Sequence, residues 1–210
     1  NTIGSENVAV GTSSLLANTT GVNNTAIGVQ SLRLNTTGSY NAAMGFQALY
    51  SNTTGERNVA VGEEALYNNT IGIRNTAMGM YALNSNTTGN YSTAIGYGAA
   101  GTMTVGGYVT AVGYGAGNTY NPAAGAEGYG STFIGYNAGT AVTTGIDNTL
   151  VGANAGQRIT TGTQNIALGG GALNFTTTGI YNVAVGVQTL YTNVTGTRNV
   201  AIGYQSLYAN

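Results

Sequence analysis

Cysteine and histidine are both missing from this 210-residue sequence. Without them the chain has no disulfide, no thiolate nucleophile, none of the usual zinc ligands and no histidine to act as a general base. The few carboxylates show no paired arrangement, since Glu63 and Glu64 are adjacent and would diverge on a strand. We therefore predict that the chain is not an enzyme and that it holds no cofactor and no metal.

Charged residues are scarce, because they make up 5% of the chain against about 25% in ordinary soluble domains. The formal net charge is −1 and lysine is absent. With no basic stripe to neutralise phosphates, we predict no nucleic-acid binding. No apolar run approaches the roughly 20 residues of a membrane-spanning helix, so we predict no membrane span.

One five-residue phrase, Asn-x-Ala-(Val/Ile/Met)-Gly, returns along the whole sequence. Its closing glycines are 17 residues apart, except for one interval of 22 residues between Gly113 and Gly135. A period this regular is typical of stacked repeats. We predict an all-β fold, a parallel β-solenoid or β-roll of 12 coils with a 17-residue period, as a single domain over residues 1–210. Coils stacked about 4.8 Å apart would build a rod of roughly 58 Å.

The phrase has two kinds of strand face, because alternate side chains point to opposite sides. Its fourth position is apolar in every copy, as at Val61, and its second position is mostly Val or Thr, as at Val59. Its third position is Ala in 10 of 12 copies, beside the glycine. A face of small residues lets another backbone approach closely. Both faces are of a burial type, one inside the coil and one against a neighbour, which predicts self-association.

Two corners and a short arm complete each coil. The strand glycine and the recurring Asn-Thr-Thr-Gly phrase supply positive-φ positions and Asx-type side-chain hydrogen bonds, as corners require. The arm between them, residues 62–67 in the fourth copy, places Ala next to Leu. That pattern fits either a single helical turn or a strand, and the sequence leaves both open.

Four middle coils depart from this pattern at the Leu position. In three of them a tyrosine follows the strand glycine, and we interpret the aromatic ring as refilling the volume that the missing leucine leaves. The replacements at the Leu position are Ala100, Gly117, Gly139 and Gly156, and the tyrosines are Tyr97, Tyr114 and Tyr136. Phe133 and Leu150 replace the alanine of the strand nearby, which predicts a locally wider body.

The same region holds five extra residues within residues 118–130. Inserting them into the ladder would shift every later strand out of register, so we predict that they project as a loop. Loops on rigid scaffolds often carry recognition, although a tolerated insertion without a partner is the alternative. The candidate binding residues of this loop are Tyr120, Asn121, Pro122, Glu127 and Tyr129.

Asparagine opens most copies of the phrase. Its equal spacing predicts a stacked amide ladder in which each side chain bonds the coils above and below. A site for an ion or a glycan would not need so many evenly spaced copies, which favours the structural role. The predicted ladder residues are Asn7, Asn24, Asn41, Asn58, Asn75, Asn148, Asn165, Asn182 and Asn199.

Repeated phrases such as Asn-Thr-Ala-Ile-Gly (residues 24–28) and Asn-Val-Ala-Val-Gly (residues 58–62) resemble the head repeats of trimeric autotransporter adhesins. The Asn-Thr-Thr-Gly spacer is similar to repeat regions of phage-type tail fibres. The resemblance covers essentially the whole chain and implies a left-handed parallel β-roll of three chains, used for attachment. The 17-residue period is longer than the coils of adhesin heads.

These features predict a segment of a structural fibre or adhesin, a rigid extracellular rod on a cell surface or virion that supports attachment. The predicted partner is the chain itself, as a homotrimer, with a surface glycan or receptor as a further partner. The alternative is a ligand surface that binds glycan or ice. Corner threonines such as Thr36 and Thr37 would form the ice-binding ladder, and the 15 tyrosines offer rings for lateral packing or for stacking on sugars.

Overall fold

Twelve three-residue strands form one parallel sheet in the computed structural model, which describes residues 3–122 and 130–209. Each strand pairs with its neighbours in the chain, and equivalent residues lie opposite each other, as Ala43, Ala60 and Ala77 do. This confirms the predicted parallel β-solenoid with its 17-residue period. The strands are β1 (Val8–Val10), β2 (Thr25–Ile27), β3 (Ala42–Met44), β4 (Val59–Val61), β5 (Thr76–Met78), β6 (Thr93–Ile95), β7 (Thr110–Val112), β8 (Thr132–Ile134), β9 (Thr149–Val151), β10 (Ile166–Leu168), β11 (Val183–Val185) and β12 (Val200–Ile202).

We number the coils by their strands. Coil 4, residues 58–74, shows the three parts of a regular coil: a strand arm (residues 58–62), a turn arm (residues 63–68) and a corner (residues 69–74). Inside it, Ala60, Ala65 and Leu66 are fully buried and form the core with their equivalents in other coils. The third position of the phrase therefore faces the interior, and the second and fourth positions face outward.

Close stacking explains the glycine that ends each strand. Gly62 has φ +130°, and a Cβ added to it would lie 2.7 Å from the carbonyl carbon of Gly79 in the next coil. No side chain fits at that distance, and the backbone conformation itself strains an L-residue. The glycine column is therefore a requirement of the stacking distance between coils.

The turn arm is neither of the two elements that the sequence left open. Glu64 and Leu66 have φ +52° and +53°, in the left-handed region, which neither an α-helix nor a β-strand uses. The N–H of Leu66 donates to the carbonyl of Ala82 in coil 5 (3.0 Å), and the N–H of Glu64 donates to the carbonyl of Phe46 in coil 3 (2.9 Å). The turn arm therefore adds a second ladder between coils, and no helix occurs among the described residues.

In the middle coils, buried side chains fill the volume of the missing leucine. Our interpretation that Tyr97, Tyr114 and Tyr136 fill this volume is therefore wrong. Those three rings are about half exposed. The volume is filled instead by large side chains at the corner asparagine position and at the strand alanine position. The fully buried replacements are Met103, Tyr120, Phe133, Val142, Leu150 and Ile159. A Cβ at Gly117 would lie 2.4 Å from Phe133 Cδ2, which shows that the Phe133 ring occupies the space of the leucine side chain in a regular coil.

The ladder continues without a break across the longer interval. Thr110 lies opposite Thr132 and Ala111 opposite Phe133, so β7 and β8 pair in register although they are 22 residues apart. Asn121, in the N-terminal part of the 22-residue interval, still lies in the corner of coil 7. Its backbone N–H donates to the carbonyl of Thr143 (2.8 Å). The extra residues fall within residues 123–129, outside the part of the chain that the structure describes, so their projection as a loop stays a prediction.

Candidate functional site

The nine predicted ladder asparagines lie at the start of the strand arm and face the interior. Asn58 shows the pattern: its Nδ2 donates to Asn41 Oδ1 (3.2 Å) and to the carbonyl of Gly72 (2.8 Å). Its Oδ1 accepts the backbone N–H of Asn75 (3.0 Å). Because these side chains use their polar atoms within the stack, they offer no ion or glycan site. Ser92, Val109 and Ser131 replace asparagine in the middle coils, and Ser131 Oγ still accepts the N–H of Asn148 (3.2 Å).

A second amide ladder runs along the corners, which the sequence reasoning did not predict. Asn52 Nδ2 donates to Asn35 Oδ1 (2.7 Å) and to the carbonyl of Gly55 (3.0 Å), and Asn69 Nδ2 donates to Asn52 Oδ1 (2.9 Å). The signal was present, since the Asn-Thr-Thr-Gly phrase recurs with the same period. Its members in coils 1–5 are Asn18, Asn35, Asn52, Asn69 and Asn86.

The structure does not bring the candidate loop residues together on an exposed surface. Tyr120 is fully buried, with its ring edge-on to Phe133 at 5.2 Å between centroids, so its assignment to a binding loop is corrected to the core. Pro122 is buried too. Asn121 Oδ1 accepts the N–H and the hydroxyl of Thr104 (both 3.1 Å) and serves the corner. The other two candidates, Glu127 and Tyr129, lie outside the described residues.

The outer strand face carries a mainly apolar stripe that holds no charged residue. It comprises the second and fourth positions of the phrase. The fourth position is apolar in all twelve strands, and the second is threonine in six of them, including every strand from β5 to β9. Large apolar side chains there are substantially exposed, and Met78 reaches 42%. The most exposed members are Val8, Val10, Ile27, Met44, Val59, Met78, Ile95, Ile134, Ile166, Leu168, Val200 and Ile202.

The corner threonines split into two columns. The first of each pair turns its hydroxyl to the stack, so that Thr36 Oγ1 and Thr53 Oγ1 donate to the carbonyls of Thr53 and Thr70 (both 3.0 Å). The second, as at Thr54, is exposed. Ile71 interrupts that exposed column, with 53% of its surface accessible. The array of corner hydroxyls that the ice-binding alternative would use is therefore not continuous.

Aromatic rings stack on one another between neighbouring coils. Five tyrosine pairs stack with centroids 5.0–5.5 Å apart, namely Tyr50–Tyr67, Tyr91–Tyr108, Tyr97–Tyr114, Tyr114–Tyr136 and Tyr191–Tyr208. All five arginines also lie over a ring one coil away, at 4.1–5.6 Å, in the pairs Arg33–Tyr50, Arg57–Tyr40, Arg74–Tyr91, Arg158–Phe175 and Arg198–Tyr181. The positive charges are spread singly among aromatic columns, so they form no phosphate-binding patch.

Metal-ligating clusters and membrane-spanning helices are both absent from the part of the chain that the structure describes. It contains no group of three or more metal-ligating side chains. Nor does any helix there have the length and hydrophobicity needed to cross a membrane.

The fold and surface define a β-solenoid repeat protein with an apolar outer sheet face. Comparison of the chain with protein-family models, with curated proteins and with solved structures finds no significant match. Function is therefore inferred from the geometry and chemistry of the chain itself.

Proposed function

We propose that this chain forms a rigid structural rod, assembled as a homotrimer outside the cell or on a virion, that supports attachment to a surface. The observation that carries the proposal is the uncharged apolar stripe along the outer strand face. The resemblance of the repeat phrases to adhesin heads and tail fibres supports the location and the role in attachment.

Rigidity follows from the number of ladders that connect each coil to the next. The strand arm, the turn arm and the corner all contribute backbone hydrogen bonds, as Val59 N–H to Asn75 O (2.8 Å), Leu66 N–H to Ala82 O (3.0 Å) and Thr70 N–H to Thr87 O (2.9 Å) illustrate. Two buried amide ladders reinforce them. Bending the rod would have to lengthen several of these bonds at once, which favours a stiff spacer.

Self-association follows from the apolar stripe. Monomeric proteins rarely expose a contiguous apolar patch of more than a few hundred Å², and the apolar fourth positions of this stripe extend over all twelve strands. Since the stripe holds no charge, another apolar surface is its natural complement, and the same stripe on a second copy provides one. Closed cyclic symmetry around an axis along the rod lets every copy cover its stripe, and three copies are a common arrangement for fibres.

Sedimentation equilibrium and negative-stain electron microscopy test the proposal. We expect a particle with about three times the 21.1 kDa chain mass. We also expect a rod roughly 50–60 Å long for the twelve coils, and resistance to heat and detergent. A stable, monodisperse monomer in dilute solution would contradict the trimeric rod.

A further inference from the structure

A depression opens on the turn-arm side of coils 4–7. Its volume is about 270 Å³, and its floor is made by Gly98 and Gly101 of coil 6. Both glycines replace side chains that neighbouring coils carry: Glu64 and Tyr81 precede Gly98 in its column, and Asn84 precedes Gly101. Two side chains are therefore missing from one coil. Asn118 of the next coil fills part of the gap, since its Nδ2 would lie 3.0 Å from a Cβ at Gly98 and 3.1 Å from a Cβ at Gly101.

Two tyrosines form an aromatic corner of this depression. The rings of Tyr81 and Tyr97 meet nearly at right angles (81°), with centroids 5.9 Å apart. Tyr97 also stacks on Tyr114 at 5.2 Å and 10°, which holds its ring plane parallel to a rigid column. Tyr97 is 47% exposed, so part of its ring remains accessible to a ligand.

Polar atoms around the depression are held in place by hydrogen bonds. Asn84 Nδ2 donates to the backbone carbonyl and to Oε2 of Glu64 (both 3.1 Å). Asn118 Nδ2 donates to the carbonyl of Gly98 (2.7 Å). These bonds use the amide donors, and they leave the amide oxygens and the second carboxylate oxygen able to accept hydrogen bonds from a ligand.

The charge of the depression restricts its ligand. The carboxylates of Glu64 and, more weakly, Glu63 raise the pKa of Tyr81, which shows that their negative charge reaches the aromatic corner. No arginine lines the depression. An anionic ligand would meet like charge, whereas a ligand with hydroxyl donors and a flat C–H face would complement the acceptors and the tyrosine rings.

We propose that this depression binds one neutral pyranose residue of a glycan, in contact with the exposed parts of the Tyr81 and Tyr97 rings and hydrogen-bonded to Glu64, Asn84 and Asn118. The volume suits a single ring, because pockets for drug-sized ligands start at about 300 Å³. This inference goes beyond the proposed rod and does not rest on its self-association.

Saturation-transfer NMR on the intact protein provides the test, with methyl glycosides of glucose, galactose, mannose and N-acetylglucosamine as probes. We expect at least one glycoside to receive saturation from tyrosine protons. The variant Gly98→Gln should weaken that binding at least tenfold, because it refills the depression. The backbone permits Gln at this position, since Gln30 and Gln47 have φ +59° and +54° and Gly98 has φ +60°. The added Cβ would lie 3.0 Å from Asn118 Nδ2, so that amide has to shift slightly, which also weakens the site.

Gly171→Gln is the matched control, because Gly171 occupies the equivalent position in coil 10 with φ +66° and lies outside the depression. It should bind the glycoside as the wild type does. The proposal is overturned if no glycoside binds, if both variants bind equally well, or if tetramethylammonium, a probe for a cation-binding aromatic corner, binds in place of the sugars. Sedimentation of each variant separates loss of binding from loss of assembly.

Discussion

At the scale of single residues, the ladder asparagines satisfy backbone groups that would otherwise be buried without partners. Asn58 is fully buried and accepts the N–H of Asn75 at 3.0 Å. The carbonyl of Gly72 has a second donor in Asn69 Nδ2 (3.1 Å), so it depends less on Asn58. The cost of removing the side chain should therefore come mainly from the orphaned N–H of Asn75.

Asn58→Ala should lower the free energy of unfolding by about 2 kcal/mol, as expected for one unsatisfied buried donor together with lost packing. Asn58→Ser should recover about 1 kcal/mol of that loss, because the chain itself uses Ser131 Oγ to accept the N–H of Asn148 at 3.2 Å. Urea unfolding followed by circular dichroism measures both variants. Equal losses for Ala and Ser would show that the acceptor atom is unimportant.

Tyr120 gives the fold a dependence on alkaline pH. Burial raises the pKa of its phenol, and Asp147 adds to the increase, while a hydrogen bond with Ser131 lowers it. The folded pKa therefore exceeds the unfolded value of about 10. The stabilisation from the neutral phenol is complete below pH 10 and is lost as the pH rises from there through the folded pKa, at up to about 1.4 kcal/mol per pH unit.

Tyr120→Phe should remove this contribution. Near pH 8 the variant should be less stable than the wild type by about 1 kcal/mol, the typical net value of one hydrogen bond. Above pH 10 the difference should shrink, because Phe has no proton to lose. Urea unfolding of both proteins between pH 8 and pH 11.5 measures it, and parallel stability curves across that range would contradict the assignment.

Residue spacing predicted the asparagine ladder positions but could not predict the backbone conformation of the leucines. Leu66 has φ +53°, in a region that costs an L-residue roughly 1–2 kcal/mol. Burial of its side chain and the 3.0 Å bond to Ala82 offset that cost. A sequence pattern contains no sign of such a tertiary compensation.

At the scale of elements, the strand arms were predictable and the turn arms were not. Alternation of small and larger side chains along the phrase identifies a strand, because successive side chains of a strand point to opposite faces. The observed strands begin and end within the repeated phrase. In the turn arm, left-handed residues recur at positions such as Glu64 and Leu66, separated by Ala65. The buried side chains of this arm, Ala65 and Leu66, are adjacent in the sequence. Their burial follows neither the period of 2 of a strand nor the period of 3.6 of a helix, so hydrophobic periodicity could not identify the arm.

In the middle coils, Phe133 occupies the space that a leucine at position 117 would fill. A double substitution can test this exchange. Gly117→Leu should be strongly destabilising, because its Cβ would lie 2.4 Å from Phe133 Cδ2. Phe133→Ala should cost about 3–5 kcal/mol through the cavity that it leaves. Together they restore the leucine of coil 7 and the alanine of coil 8, and the backbone permits the leucine, since Gly117 has φ +55° and Leu66 has φ +53°. We expect the double variant to be more stable than the sum of the two losses predicts, by about 2 kcal/mol.

Gly156→Leu combined with Phe133→Ala is the control pair. The space at Gly156 is occupied by Leu150 and Ile159 and not by Phe133. Leu150 lies opposite Phe133 in the ladder, so the members of this pair are coupled only through Leu150. We expect this pair to depart from additivity less than the Gly117 pair does, and thermal or urea unfolding of all the variants measures the difference. Equal departures in the two pairs would mean that Phe133 does not occupy the leucine space of coil 7.

At the scale of the whole molecule, the period alone predicted the stacked coils, but it could not decide which strand face points inward. The sequence makes both faces suitable for burial, and an interface between chains favours the same residue types as a core. The structure places Ala60 inside and leaves Val59 and Val61 on the outer surface of the single chain. A single sequence does not distinguish a side chain that packs within its own coil from one that packs against another copy.

The outer stripe provides the test of assembly. Met78→Glu places a charge on the stripe at a side chain that is 42% exposed in the single chain. In an isolated chain the change should cost little, because the carboxylate remains in water. In the proposed trimer it would bury an unpaired charge in every copy, at a cost of several kcal/mol each. We therefore expect the variant to sediment as a monomer, with a circular dichroism spectrum like that of the wild type.

Ile71→Glu is the matched control for this experiment, since it makes the same apolar-to-acidic change at a corner side chain that is 53% exposed and lies away from the stripe. It should assemble as the wild type does, because the corner faces solvent in the proposed trimer. A Met78→Glu protein that kept the wild-type mass would show that β5 lies outside any interface. If both variants were monomeric, added negative charge would be the cause, since the chain carries a net charge of only −1 and each copy would become more acidic. Loss of assembly in Met78→Glu alone is the outcome that identifies the apolar strand face as the surface through which the copies associate.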